Sequence, residues 1–178
     1  EATKRALSAA KESGAVISFD PNLRPPLWSS LELAREKIAF GMSQCDVLKI
    51  SDNEIEFVSG TADIDEGVAR IREQYDIPLI FATMGKDGSK AFYRDLVVEG
   101  RPFVNKNTIE TTGAGDTFGA CAINGVLDVG LENLDKAELE RILTFANAAA
   151  SLITTRKGAL SVMPEPSEVR RYMAEMTG

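Results

Sequence analysis

Histidine is absent from the 178-residue chain. That absence removes Ser-His-Asp and Cys-His catalysis and every histidine-bearing zinc site. Acid–base chemistry is left to carboxylate, Lys, Tyr or Cys. Cysteine is scarce: Cys45 and Cys121 stand alone without metal-ligand spacing and read as reduced thiols. No apolar run approaches the ~18 residues of a membrane span, and the opening residues do not read as a signal peptide. A cytoplasmic protein is therefore expected. Basic residues number 20 against 27 acidic, a net charge of −7, and no basic run stands out. Nucleic acid and anionic membranes are disfavoured as partners on that balance.

Hydrophobic residues make up 44% of the chain, enough for a core, and the length fits one domain, 1–178, or a large piece of one. The pattern predicts a helix over 2–13 closed by Gly14 and a buried strand over 15–19 ending at Asp20. A helix over 29–43 and a strand over 47–50 follow. Ser51 with Glu54 fits a capping box, so a helix should begin there. A helix over 65–75, a strand over 78–83, a turn at 85–88 and β-like segments at 89–94 and 96–104 come next. Helical patterns cover 115–128 and 137–154, and Pro164 and Pro166 introduce a final short helix. Strands alternating with helices imply an α/β fold with a mostly parallel, covered sheet. Ligands in such sheets bind beyond the carboxyl ends of the strands, where Asp20, Asn22, Arg24, Asn53, Glu56, Thr83 and Gly85 collect.

One run carries most of the chemistry: Glu110-Thr111-Thr112-Gly113-Ala114-Gly115-Asp116-Thr117-Phe118-Gly119-Ala120. Glycine-rich backbone leads directly into a helix with one carboxylate at the junction. Free N–H groups and the helix dipole attract anions there, and Gly113 and Gly115 allow close approach of a ligand. Such an arrangement suits phosphoryl transfer, which depends on positioning and charge stabilisation. Taken alone, an Asp in a first helical turn reads as a stabilising residue, which is common at that position. The run resembles the D-T-T-G-A-G-D signature of the ribokinase-like (PfkB) carbohydrate kinases, with Glu110 in place of the usual first Asp. The resemblance implies that Asp116 is the catalytic base and that Gly113, Ala114 and Gly115 form the anion hole. It also implies ATP and Mg²⁺ as cofactors and a three-layer α/β/α fold.

Further segments fit the same resemblance, each beside a plainer reading. Asn53 and Glu56 resemble the family's N-x-x-E motif, which acts on phosphate and on Mg²⁺ through water; Glu54 is left to the cap. Thr83, Gly85 and Gly88 resemble a T-x-G-x-x-G segment lying against the nucleotide, although Lys-Asp-Gly is also a good hairpin turn. The spacing is not that of a Walker A loop, nor does 113–119 read G-x-G-x-x-G. Asn147, in an apolar small-residue stretch, is placed beside adenine by the resemblance; equally, its amide can bond to neighbouring backbone. Asp20, Asn22 and Arg24, in the string Asp-Pro-Asn-Leu-Arg-Pro-Pro-Leu-Trp, resemble the substrate segment of fructokinases in this family. Related 2-keto-3-deoxygluconate kinases carry a similar string. Arg24 suits a phosphate or carboxylate, and Trp28 reads as a hydrophobic anchor. Thr155–Ala159 resembles a segment near a monovalent-cation loop, so K⁺ is a further candidate, which Glu110 puts in question.

The resemblance covers the whole chain but only the C-terminal portion of a typical family member. The N-terminal part and the lid, with most sugar contacts, are expected to be missing. Three readings stay open: an ATP-dependent sugar kinase, most like a fructokinase; another PfkB kinase; or an inactive nucleotide-binding piece. The expected partners are a sugar and ATP, and an exposed sheet edge is compatible with a homodimer.

Overall fold

The computed structural model describes residues 1–177. Five strands, β1 (Ser18–Phe19), β2 (Val47–Ser51), β3 (Leu79–Thr83), β4 (Ser89–Tyr93) and β5 (Leu96–Gly100), form one sheet in sequence order. β1 pairs parallel with β2, with Ser18 opposite Val47 and Phe19 opposite Leu48. A two-residue turn at Arg94–Asp95 joins β4 to β5, a connection that only antiparallel strands accept. The sheet is therefore mixed, with the α/β alternation that the hydrophobic pattern predicts.

Seven α-helices accompany it among the described residues: α1 (Ala2–Glu12), α2 (Leu31–Met42), α3 (Asp52–Ser59), α4 (Ile64–Gln74), α5 (Ala114–Val129), α6 (Lys136–Ile153) and α7 (Pro166–Thr177). Their starts follow local chemistry. The Ser30 hydroxyl accepts from the Leu33 amide at 3.1 Å, Asp63 from Glu66 at 2.8 Å and Asp135 from Glu138 at 2.9 Å. Ser51 and Glu54 close the full capping box expected of them, and α3 ends on Gly60 in the left-handed region.

Two strands are shorter than the pattern predicts. β1 keeps only two residues, because the Ile17 amide just before it is taken by the Asp46 carboxylate at 2.7 Å. β5 stops at Gly100 because Pro102, two residues on, has no amide to give to a ladder.

The chain divides into two compact units, one of residues 1–82 with 92–95, the other of residues 83–91 with those from 96 on. In the first, Ile38, Leu48, Ile50, Ile55, Val68, Ile71 and Ile80 form the core. In the second, α6 is buried along most of its length, through Leu139, Ile142, Leu143, Ala146 and Ile153, and α5 contributes Phe118, Ala122 and Val126. Gly88 sits at φ 94°, and a Cβ there would collide with the Gly100 carbonyl, so the turn before β4 requires glycine. No helix among the described residues is long and apolar enough to cross a membrane.

Candidate active site

In the second unit, Gly113 adopts φ 79° and ψ −4°, a left-handed conformation that turns the chain into α5. No side chain caps this helix. The Ala114 amide donates to the Thr111 carbonyl at 3.2 Å, and the Thr117 amide to Gly113 at 2.8 Å. The amides of Gly113, Gly115 and Asp116 donate to no described protein group. Of the expected trio, Ala114 closes a turn, while the amides of Gly113 and Gly115, and that of Asp116 beside them, are unengaged. Unsatisfied first-turn amides at the positive end of a 16-residue helix are a ready anion site.

The start of α5 opens on a cavity of about 310 Å³, lined among others by Thr83, Gly85, Gly88, Phe103, Gly115 and Asn147. The structure therefore brings together the glycine run, the Thr83–Gly88 segment and Asn147. Asp116 is exposed beside that lining, one residue beyond Gly115. Next to it Thr117 is buried, and its hydroxyl has no hydrogen-bond partner among the described residues. Asn147 is 8% exposed, and its amide nitrogen donates to the Ser89 hydroxyl at 2.9 Å and the Arg101 carbonyl at 3.1 Å. That amide therefore ties α6 to β4 and to the residue after β5, besides lining the cavity.

Glu110 accepts from the Gly158 amide at 2.6 Å and pins the segment after α6. Arg156 pairs with Glu168 at 2.7 Å, which holds that carboxyl below its ordinary range. Burial raises the thiol of half-buried Cys121 in α5, so it offers little thiolate.

The remaining candidates belong to the first unit. Asn53 and Glu56 are exposed on the first turns of α3, three residues apart and so on one helix face. Asn22 and Arg24 are exposed in the loop after β1, and Asn22 takes φ 44°. Asp20 is partly buried, and Lys49 Nζ lies 3.2 Å from Oδ2 and 3.3 Å from Oδ1. Burial pushes the Asp20 carboxyl up, against the pull of Lys49. Lys49, at 8% exposure, went unremarked in the sequence. Its only signal there is a single charge inside an otherwise apolar strand. Burial in the same unit pushes the Cys45 thiol up to about 12.

These residues are compatible with the groups the motif implies. The unengaged amides and the cavity suit a nucleoside triphosphate. No cluster of three or more acidic, His or Cys side chains able to hold a metal ion occurs among the described residues. Mg²⁺ keeps several waters and needs one or two carboxylates, so Glu56 with Asn53 fits its chemistry.

Known proteins agree with this architecture. The model of the pfkB family carbohydrate kinases matches residues 1–166. Fructokinase-1 of Oryza sativa subsp. japonica is 36% identical over 170 residues, which are 95% of this chain and 52% of that protein. A fructokinase of Vibrio cholerae O395, solved with fructose, ADP and calcium ion, superposes with a TM-score of 0.87 at 30% identity, covering 96% of this chain and 55% of that one. A fructokinase of Xylella fastidiosa with bound ATP gives a TM-score of 0.84 at 26% identity, covering 99% of this chain and 57% of that one. The chain belongs to the pfkB family of carbohydrate kinases and has the ribokinase-like α/β fold. It spans about half the length of the curated relatives it matches.

Proposed function

We propose that the protein carrying this chain is an ATP-dependent sugar kinase that converts D-fructose and ATP to fructose 6-phosphate and ADP. One observation carries the reading: an uncapped helix start with amides free of protein acceptors, opening on a cavity, with an exposed carboxylate at its first turn. The relatives named as fructokinases support fructose over other sugars.

In this mechanism the Asp116 carboxylate takes the proton of the attacking sugar hydroxyl as its oxygen bonds to the γ-phosphorus and the bond to the ADP oxygen breaks. The amides of Gly113, Gly115 and Asp116 receive the charge that builds on the phosphoryl oxygens. Thr83, Gly85 and Gly88 line the nucleotide, and Phe103 offers it an apolar wall. Asn22 and Arg24 bind an anionic group. Asn53 and Glu56 would hold Mg²⁺ through water, and the ion would supply neutralisation of phosphate charge.

Asp116→Asn in the intact protein tests the reading. Loss of the base is expected to lower kcat by ~10²–10⁴-fold with the KM for ATP nearly kept. A kcat within about threefold of wild type refutes Asp116 as the base.

A further inference from the structure

The loop that follows β1 is held by buried charge on two sides. Lys49 lies in β2 between Leu48 and Ile50, which have no exposed surface, and is itself 8% exposed. A buried ammonium is tolerated only when paired, and Lys49 meets both carboxylate oxygens of Asp20, at 3.2 and 3.3 Å. Asp20 Oδ1 in turn accepts from the Asn22 amide at 3.1 Å and closes a turn through the left-handed Asn22. On the other side Glu54, 6% exposed, accepts from the Leu23 amide at 2.7 Å through Oε1 and from the Ser51 amide at 2.8 Å through Oε2. Residues 20 and 23 are thereby fixed, and the exposed Asn22 and Arg24 are presented between and just beyond them.

We propose that Lys49 is a positioning residue: through Asp20 it sets the backbone of the loop so that Asn22 and Arg24 are pre-formed to take a phosphate group. The assignment rests on the reading of that loop as anion-binding. A lysine is an expensive way to fill a strand interior, since apolar residues of similar volume pack there without desolvating a charge. Its observable consequence is the shape of the loop. Asp20, expected from the sequence to touch substrate, becomes the intermediary instead, its carboxylate engaged by Lys49 and the Asn22 amide.

Steady-state kinetics of the intact protein test this, with the KM for Mg-ATP and the inhibition constant of fructose 6-phosphate measured separately. Arg24→Ala identifies the phosphate: it raises the constant of whichever ligand the loop holds, and if neither constant moves, the loop reading fails and the proposal with it. Lys49→Met is expected to raise that same constant by ~10-fold with kcat within about threefold, the pattern of a displaced binding group. Lys49→Met combined with Asp20→Asn removes both charges and keeps the Asn22 turn, so the constant is expected to return to within about threefold of wild type. A folded Lys49→Met protein with unchanged constants overturns the proposal while Arg24 still reports on the loop. A double variant that folds and does not recover also overturns it, because Lys49 or Asp20 then touches the ligand directly. If Lys49→Met alone does not fold, the double variant decides between these outcomes.

Discussion

Replacing Gly113 by valine is the most direct test of the proposed anion site. Gly113 sits at φ 79°, where an L residue carries a penalty of about 1–2 kcal/mol, more for a β-branched one. Space is also short: a Cβ at this position would lie 3.4 Å from Ile153 Cδ1 and 3.5 Å from both Ala159 Cα and Cβ. Those contacts tolerate one carbon, but the two methyl groups of valine have to displace Ile153, which is fully buried. We therefore expect a total cost of roughly 2–3 kcal/mol, within the usual range for a strained residue. For a domain of this size that is about 4–12 °C in Tm. The loop escapes strain by leaving the left-handed region, which reorients the Gly113 amide and the start of α5. Each charge-assisted hydrogen bond lost weakens binding by roughly 1.5–3 kcal/mol, or about 10–150-fold in Kd. Calorimetric titration of the chain with Mg-ATP, wild type beside Gly113→Val, reads this directly, with a thermal melt confirming that both are folded. A folded variant whose Kd stays within about threefold of wild type refutes the glycine run as the phosphate cradle. Failure of the folded wild-type chain to bind Mg-ATP refutes a pre-formed nucleotide site.

Two further outcomes follow from side-chain contacts in the second unit. Asn147→Leu removes the donor to Ser89, which is 1% exposed, and to the Arg101 carbonyl; the melt should fall by the equivalent of about 1–3 kcal/mol. A loss of nucleotide affinity with no loss of stability would contradict that tie. Glu168 has a carboxyl lowered from its ordinary value of 4.5 by its hydrogen bond to Arg156 and by the Glu165 amide. Its contribution is therefore complete above that ordinary value and disappears as pH falls through the lowered one. Glu168→Gln should melt below wild type at pH 7, with the gap closing towards pH 3; a constant gap between those limits refutes the linkage.

Much of the architecture follows from the order of residues alone. Apolar periodicity and punctuation by Gly14, Ser51 and Pro166 are local signals, and local signals survive without knowledge of the fold. The capping box of Ser51 and Glu54 was legible for that reason, as was the glycine run before α5. The short extent of β1 was not, because the Ile17 amide that would continue it is taken by the carboxylate of Asp46, 29 positions away. The same limit governs the site. The family resemblance nominates Gly113, Ala114 and Gly115 together, yet only backbone geometry separates Ala114, whose amide closes a turn on Thr111, from the neighbours whose amides stay unengaged. Asn147 could be read beside a ligand or against backbone, and its two hydrogen bonds across 58 and 46 residues decide what its amide nitrogen holds. Lys49 gains its meaning from Asp20, 29 residues earlier. Residue type and local spacing thus determined where an anion could be received, because glycine freedom and helix dipoles act over a few residues. Which polar groups are engaged and which remain open was decided by tertiary structure, because a hydrogen-bond partner is set by proximity in space, and proximity between distant segments arises only when the chain packs.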